Sequence, residues 1–201
     1  MSRGSAPRSR AYQMRKRAEQ VDDTKLRIVE AAVELHGTVG PAATTFVGVA
    51  ERAGVTRATV YRHFKDETAL FDACSSHWLS QQQPPDPSSW ARVADPLERM
   101  HVGLADLYRF YRSGQQMLSM IYRDRAWLPE RYRVDLEMRG QQAQALLLAA
   151  FPAARQRRPR LRAVVGHAVD FWTWRSLCAE HGLTEADAVA LMVQLVNVSA
   201  L

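Results

Sequence analysis

Apolar side chains recur every three or four positions along most of the chain from about residue 22 onward. This spacing places them on one face of an α-helix, whereas a half-buried strand alternates apolar and polar positions. No segment shows sustained alternation of that kind with β-branched residues. The pattern therefore predicts an all-α fold of about nine helices.

The first predicted helix starts at residues 22–24, whose acidic and hydroxyl side chains suit a helix N-terminus. Gly37, and then Gly40 followed by Pro41, are expected to end this helix. Its apolar face is formed by Leu26, Ile28, Val29, Ala32, Val33 and Leu35.

Three shorter helices are predicted next, over residues 46–53, 57–64 and 67–79. Thr44 or Thr45 caps the first of them, and Gly54 breaks it, because glycine tolerates the left-handed conformation of a helix end. Thr56 caps the second, and residues 65–67 open the third.

A proline-rich stretch, residues 81–94, is the clearest boundary in the sequence, because proline interrupts helices. We predict four regions: a basic flexible arm (1–21), a helical domain (22–80), this connector (81–94) and a larger helical domain (95–201). The larger domain contains five helical patterns, with the basic residues 155–160 as a further connector. These patterns cover residues 95–112, 115–125, 129–150, 161–181 and 184–201.

The charge of the chain is distributed unevenly. The 201 residues include 27 basic and 21 acidic side chains, which gives a net charge of +6. Residues 1–20 alone hold six basic side chains and one acidic side chain. A flexible basic arm suits a polyanion such as DNA, and it serves equally as a solubilising tail that has no partner.

Composition and motifs exclude several classes of protein. With 47% hydrophobic residues the chain can bury a core, yet no apolar run approaches the roughly 20 residues of a membrane span. Cys74 and Cys178 cannot build a disulfide framework or a four-ligand zinc site. Phosphate loops, HExxH, GxSxG and Gly-rich dinucleotide turns are absent from the sequence, so we expect no enzyme, no cofactor and no metal. The N-terminus has no apolar signal region, and we expect a soluble, cytoplasmic protein.

Residues 45–64 have the composition of a helix-turn-helix, in which two short helices cross steeply around a tight turn. Ala50, Ala53 and Gly54 are small enough to let the two backbones approach. The predicted core positions are Val49, Val55, Val60 and Phe64, with Ile28, Leu35 and Leu70. The second helix then offers donors and an aromatic ring that suit base edges and phosphates. Its outward or sideways residues are Arg57, Ala58, Thr59, Tyr61, Arg62 and His63.

The string GVTRATVYRHF, residues 54–64, resembles the recognition motif of the TetR (tetracycline-repressor-like) family of transcription regulators. The resemblance covers about residues 24–72, and the remaining chain matches the family only in length and helical character. It implies a three-helix DNA-binding domain followed by a larger helical domain that binds a ligand and dimerises. Further positions that carry it are Ile28, Ala31, Leu35, Gly40, Thr45, Val49, Ala50, Ala53, Leu70 and Phe71.

The resemblance implies which residues of this segment contact DNA. Arg57 and Tyr61 match positions that reach into the major groove, and Ala58 lies between them, where it can touch a thymine methyl group. Thr59 and His63 match positions that hold phosphates. Arg62 is placed to reach a phosphate or a base, and the other residues placed to contact phosphate are Thr45, Thr56 and Lys65.

Two positions depart from the family pattern. Val47 and Glu67 stand where family members often carry basic residues that contact a base and a phosphate. Phe46 is a second apolar residue at the start of the helix that would front DNA, and the sequence assigns no role to Phe46 or Val47.

One helix-turn-helix reads only half of a palindromic site, so two copies must lie about one helical turn apart. The last two predicted helices are apolar over more than one face, as expected where a helix packs on its own domain and on a second subunit. The resemblance implies the same four-helix dimer interface, although a purely intramolecular core remains an alternative. The candidate interface residues are Val164, Ala168, Phe171, Trp172, Arg175, Leu191, Leu195 and Val198.

The central helices carry methionine and aromatic side chains that suit a mostly apolar small-molecule effector. The candidates for effector contact are Met100, His101, Leu104, Tyr108, Met117, Tyr122, Trp127 and Trp174. Such residues also form ordinary cores, and a cluster of Arg123, Asp124 and Arg125 is expected to form surface pairs.

Together these observations predict a ligand-responsive transcriptional regulator. Repression is the commonest mode in the family, with a homodimer that binds a palindromic operator and leaves it when effector binds. Two alternatives stay open. One is a DNA-binding regulator that needs no effector; the other is a ligand-sensing module with weakened DNA reading, which Val47 and Glu67 favour.

Overall fold

The computed structural model describes residues 7–201, and over that range the chain is all-α, which confirms the predicted class. The α-helices are α1 (Pro7–Thr38), α2 (Phe46–Ala53), α3 (Arg57–His63), α4 (Glu67–Ser80), α5 (Pro87–Ala91), α6 (Pro96–Ser113), α7 (Gln115–Arg123), α8 (Glu130–Leu148), α9 (Ala153–Gln156), α10 (Pro159–Ala168), α11 (Phe171–Trp174) and α12 (Glu185–Ala200). Two 3-10 helices, Pro41–Ala43 and Arg125–Trp127, and one π-helix, Arg175–Glu180, lie between them. The helices beyond the nine predicted are the short α5, α9 and α11.

The chain divides into two compact units. The first unit comprises the chain up to Gln81 together with Ser119–Trp127, and the second comprises Gln82–Leu118 and Leu128–Leu201. Residues 119–127 therefore group with the first unit, although the sequence pattern assigned them to the C-terminal domain. Within residues 7–201, none of the helices combines the length and apolar character needed to cross a membrane.

The core of the first unit lies between α1, α2, α3 and α4. The predicted inward residues are confirmed: Ile28, Val49, Val60, Phe64 and Leu70 are buried, and Leu35 and Val55 pack against them partly exposed. Since Val60 is fully buried in the middle of α3, the opposite side of that short helix faces outward.

Local side chains fix the starts of α2, α3 and α4, as the sequence predicts. Thr45, not Thr44, caps α2 by accepting a hydrogen bond from the Gly48 N–H at 3.1 Å. Thr56 accepts from the Thr59 N–H at 3.2 Å, and Asp66 accepts from the Ala69 N–H at 2.7 Å. Each bond satisfies a donor that the first helical turn leaves unpaired.

The predicted start of the first helix at residues 22–24 is wrong, because α1 begins at Pro7. Thr24 does not cap a helix; its hydroxyl donates to the Gln20 carbonyl four residues earlier at 2.8 Å. A threonine bonded in this way is compatible with a helix interior. Residues 7–21 are thus helical where a flexible arm was predicted, and residues 1–6 lie outside the described residues.

The proline-rich stretch contains a helix that the sequence pattern did not predict. Asp86 caps α5 by accepting from the Ser88 N–H at 3.0 Å, and Pro87 occupies the first turn, where its missing N–H costs nothing. Trp90 of this helix is 1% exposed, and its indole N–H donates to Asp106 at 2.9 Å. The basic connector is likewise helical in part, since α9 ends at Gln156 and α10 starts at Pro159.

The continuous helix predicted over residues 161–181 is also wrong, because the chain breaks after Ala168. Asp170 caps α11 by accepting from the Trp172 N–H at 2.7 Å. On the other side of the break, the Tyr108 hydroxyl donates to the Ala168 carbonyl at 2.9 Å, and the Tyr111 hydroxyl donates to the Val169 carbonyl at 2.7 Å. The two hydroxyls replace helix bonds that the break removes.

The core of the second unit is built from large side chains of α5, α6, α8, α10, α11 and α12. Thr184 caps α12 as predicted, by accepting from the Asp187 N–H at 3.1 Å. The largest fully buried side chains are Trp90, Met100, Leu104, Tyr108, Leu147, Leu161, Val165, Phe171 and Trp174.

Candidate DNA-binding surface

The turn between α2 and α3 is held by the backbone and by an arginine from α1. Gly54 adopts the left-handed conformation (φ +64°), and the Val55 N–H donates to the Ala50 carbonyl at 3.0 Å. The Arg27 guanidinium donates to the Ala53 carbonyl at 2.7 Å and to the Gly54 carbonyl at 3.3 Å. Sequence reasoning missed Arg27, because its partners lie on a different helix.

The exposed side of α3 carries the residues predicted to contact DNA. Arg57, Ala58, Tyr61 and Arg62 are exposed, and Tyr61 presents 46% of its surface to solvent. Thr59 and His63 are half-buried at the edges of this surface. The structure therefore brings together donors, a hydroxyl-bearing ring and a methyl group on one convex helix face, which is the chemistry of major-groove readers.

Three side chains form a stack, which we call the recognition stack: Phe46, Tyr61 and Arg57. The ring centroids of Phe46 and Tyr61 lie 4.8 Å apart. The Arg57 guanidinium lies 5.3 Å from the Tyr61 ring centroid and donates to the Tyr61 hydroxyl at 3.2 Å. Because the guanidinium has five N–H donors, this bond leaves others on its rim for a base edge. Phe46 is 7% exposed and thus supports the stack from below.

The predicted phosphate-contacting residues are partly occupied by local bonds. The Thr56 and Thr59 hydroxyls lie 2.9 Å apart, and both belong to the cap of α3. Lys65 is 84% exposed at its side chain, with its ammonium 3.8 Å from Asp66. The pKa of His63 is held below its usual value by partial burial and by the charges of Arg62 and Lys25. A neutral His63 offers one N–H donor to a phosphate in place of a charge.

The two departures from the family pattern both lie on the surface. Val47 is 46% exposed at the start of α2, and Glu67 is exposed in the first turn of α4. Neither contributes a positive charge, so Arg57, Arg62 and Lys65 are the basic side chains on α3 and the turn that follows it.

Asp124 corrects the expectation that residues 123–125 form only surface pairs, because it is 6% exposed. It accepts from the Arg123 guanidinium at 2.6 Å and from the Ala42 N–H at 3.1 Å, and these bonds lower its pKa. Arg123 also donates to the Val39 carbonyl at 2.8 Å. A side chain at Gly40, which has φ +94°, would collide with this pair. The sequence carries no signal for the contact beyond Gly40 and Pro41.

The residues predicted to contact an effector do not lie together in one unit. In the second unit, Met100, Leu104, Tyr108, Met117 and Trp174 are buried, whereas His101 is exposed. Tyr122 and Trp127 belong to the first unit, and Trp127 is 75% exposed. Five of these side chains are therefore core residues of the second unit, and their contact with an effector stays a prediction.

The residues predicted to form a dimer interface separate into three groups by burial. Ala168 and Phe171 are buried within the second unit, and Val164 and Arg175 are half-buried. The Arg175 guanidinium lies 5.4 Å from the Trp172 ring centroid. The exposed apolar members are Trp172, Leu191, Leu195 and Val198.

Comparison with known proteins places this chain among bacterial regulators. Residues 28–74 match the family model of bacterial regulatory proteins of the tetR family. HTH-type transcriptional regulator AcrR of Shigella flexneri is 37% identical over 57 residues, which cover 28% of this chain and 26% of AcrR. TtgR of Pseudomonas putida is 38% identical over 60 residues, which cover 30% of this chain and 29% of TtgR. The chain thus matches less than a third of the length of these two relatives.

A longer match and two solved structures extend the likeness beyond the helix-turn-helix. The uncharacterized HTH-type transcriptional regulator TtgW of Pseudomonas putida is 36% identical over 94 residues, 43% of this chain and 70% of TtgW. A TetR-like regulator from Rhodococcus has the same fold, with a TM-score of 0.59 at 16% identity over 86% of this chain and 93% of that chain. NalD of Pseudomonas aeruginosa, the secondary repressor of the MexAB-OprM multidrug efflux pump, has a TM-score of 0.53 at 18% identity over 90% of this chain and 97% of NalD. The protein belongs to the TetR family of DNA-binding transcriptional regulators, which are not enzymes.

Proposed function

We propose that this protein is a repressor that binds a palindromic operator as a homodimer and leaves it when a small, mostly apolar effector binds. The observation that carries the DNA-binding half of the proposal is the recognition stack, in which Phe46 of α2 packs against Tyr61 of α3. It holds Arg57 and Tyr61 together on an exposed helix face before any DNA is present. Because these side chains are already ordered, less side-chain conformational entropy is lost when DNA binds.

In this proposal Arg57 makes a two-pronged contact with guanine, and Tyr61 and Ala58 contact neighbouring bases. A good contact of that kind is worth about 1–3 kcal/mol of discrimination against the wrong base. Thr45, Thr56, Thr59, Arg62, His63 and Lys65 surround the groove-facing residues and hold phosphates, which fix the register of the helix but carry no sequence information.

The exposed apolar face of α12 supports a second copy of the chain as partner. Leu191, Leu195 and Val198 recur at helical spacing and are 42%, 39% and 55% exposed. Such a stripe on a helix favours burial against another subunit. A symmetric dimer formed in this way would supply the two copies of α3 that the two halves of a palindrome require.

Release by effector requires that the ligand bind more tightly to the form of the dimer that fits DNA poorly. The buried aromatic and methionine side chains of the second unit, including Tyr108 and Trp174, supply the apolar surroundings for such a ligand. Repression as the mode of regulation is supported by the fold shared with NalD.

A second candidate function is a ligand-sensing module with weakened DNA reading, which the exposed Val47 and Glu67 favour. Selection of bound sequences from a random DNA pool, with sedimentation analysis of the protein, distinguishes the two. The repressor proposal expects a dimer that enriches a palindrome. Arg57→Ala should then relax one base position in each half-site, and Thr59→Ala should weaken binding to all sequences alike. A monomer that enriches no palindrome would overturn the proposal.

A further inference from the structure

Trp174 has a buried indole N–H without a hydrogen-bond acceptor. The residue is 2% exposed, and its Nε1 finds no partner in the part of the chain that the structure describes. Buried donors in folded proteins are nearly always paired, because an unpaired donor loses its bonds to water and gains nothing. The Trp174 N–H is therefore a position where an acceptor from outside the chain would be stabilised.

The surroundings of Trp174 form what we call the aromatic cluster: Tyr108, Tyr111, Phe171 and Trp174 of the second unit. The Trp174 ring centroid lies 5.5 Å from that of Phe171 and 6.0 Å from that of Tyr111. The two tyrosine hydroxyls donate to the Ala168 and Val169 carbonyls. Both tyrosine O–H groups are therefore already paired at the break between α10 and α11, whereas the Trp174 N–H is unpaired.

A π-helix begins immediately after this tryptophan and spans Arg175–Glu180. Its wider turn is seen at its end, where the His181 N–H donates to the Ser176 carbonyl five residues earlier at 3.0 Å. Such segments are rare and are found frequently at functional sites. The π-helix is a second observation, independent of the unpaired donor, at the same place in the fold.

Trp90 is a second buried tryptophan of the same unit, and its indole N–H is paired. It is 1% exposed, like Trp174, but its N–H donates to the Asp106 carboxylate at 2.9 Å. The difference between the two tryptophans is therefore one of hydrogen bonding and not of burial.

We propose that the aromatic cluster binds an uncharged aromatic or alicyclic ketone, whose carbonyl oxygen accepts a hydrogen bond from Trp174 Nε1. The rings favour an apolar body, and the single open donor favours one acceptor oxygen. The four cluster side chains carry no charge at neutral pH, so none of them compensates for the hydration that a charged ligand would lose there. The identification of this ligand as the effector rests on the proposed function; its binding does not.

The test compares α-tetralone with its parent hydrocarbon tetralin, which has a methylene group in place of the carbonyl group. Their affinities for the full-length protein are measured by calorimetry for the wild type, Trp174→Phe and Trp90→Phe. The wild type should bind the ketone about fivefold more tightly than the hydrocarbon, as expected for one neutral hydrogen bond. Trp174→Phe should abolish that preference, whereas Trp90→Phe, the matched control, should retain it.

The ligand-free variants give a second readout. Both substitutions replace a buried indole by a smaller ring, so both lower the unfolding midpoint through the cavity that they leave. Trp90→Phe should lower it by about 2–4 °C more than Trp174→Phe, because it also removes a satisfied hydrogen bond. Should a variant fail to fold, the Trp174 N–H proton resonance of the wild type still decides, because a hydrogen bond to the ketone adds a downfield shift that the ring current of tetralin alone does not give.

The proposal is overturned if the wild type binds neither probe or prefers neither, or if Trp174→Phe retains the preference for the ketone. Operator release is measured separately with the selected DNA. A ketone that binds through Trp174 without releasing DNA leaves this inference standing and contradicts the effector role. Release by other compounds that is equal in the wild type and in Trp174→Phe supports the effector mechanism and contradicts the effector role of this site.

Discussion

In two regions of the molecule, different kinds of hydrogen bond satisfy the backbone groups at the helix ends. In α2–α4 of the first unit, Thr45, Thr56 and Asp66 each bond to a backbone N–H three residues further along. At the break between α10 and α11 in the second unit, the exposed carbonyls are satisfied by Tyr108 and Tyr111, about sixty residues away in sequence. The first region is therefore specified locally, and the second depends on the packing of distant helices.

The difference is not that the first unit lacks long-range polar contacts. His36 of α1 and Cys74 of α4 are both buried, with Nδ1 and Sγ 3.3 Å apart. Burial lowers the pKa of His36 to about 4 and raises the pKa of Cys74 to about 12. The thiol thus stays protonated at neutral pH, and the imidazole stays uncharged.

The largest effect we predict comes from protonating His36. An unfolded histidine titrates near pH 6.5, so between that value and about pH 4 the unfolded state binds the proton and the folded state does not. Stability should therefore be full above pH 6.5 and should fall by about 3 kcal/mol as the pH drops to about 4.

Urea unfolding across this pH range measures the effect. His36→Gln should flatten the pH dependence, whereas His101→Gln, which alters an exposed histidine of the second unit, should leave it unchanged. Equal slopes in the wild type and His36→Gln would show that the buried pair does not set the acid sensitivity.

The second prediction concerns the two tyrosine hydroxyls that donate to the carbonyls at the break between α10 and α11. Tyr108→Phe and Tyr111→Phe each leave a buried carbonyl without its donor, which should cost about 1–3 kcal/mol in the free energy of unfolding. Thr45→Ala, which removes a local cap in the first unit, should cost about 1 kcal/mol.

Tyr12→Phe is the control, because Tyr12 is 66% exposed and its hydroxyl does not lie at a buried helix break. Its effect should lie within about 0.5 kcal/mol. Wild-type stability in both Tyr108→Phe and Tyr111→Phe would mean that the break is held by Asp170 alone, and the contrast between the two regions would disappear.

The same contrast explains which parts of the fold are predictable from sequence. The bounds of α2, α3 and α4 follow from caps and glycine that act within a few residues. The start of α1 does not, because Thr24 looks like a cap and bonds backward instead. The break at Val169 and the burial of Trp90 within a proline-rich stretch both depend on partners in α6, and no local pattern reports those partners.

The candidate sites also differ in how much of them a local sequence pattern predicts. The exposed residues of α3 follow from helical spacing once Val60 is assigned to the core. Phe46 could not be assigned, because its partner Tyr61 lies on the next helix. In the second unit, the pattern identifies Tyr108 and Trp174 as buried but cannot tell a bonded hydroxyl from an unbonded indole N–H.

The smallest effect we predict tests whether Phe46 acts through the recognition stack. Phe46→Leu keeps an apolar side chain in the core but removes the ring beneath Tyr61, so Arg57 loses part of its support. The preference of the Phe46→Leu protein for the selected operator over a scrambled duplex should fall about fivefold, which is within the range of one weakened base contact.

Phe64→Leu is the control. Phe64 is equally part of the core, at 3% exposed, but it lies near Lys25 and not in the recognition stack. That variant should lose stability while keeping the preference, and in a Tyr61→Leu background Phe46→Leu should have no further effect on it. If Phe46→Leu instead weakens binding to both duplexes equally, Phe46 is only a core residue, and Arg57 owes its position to α3 alone.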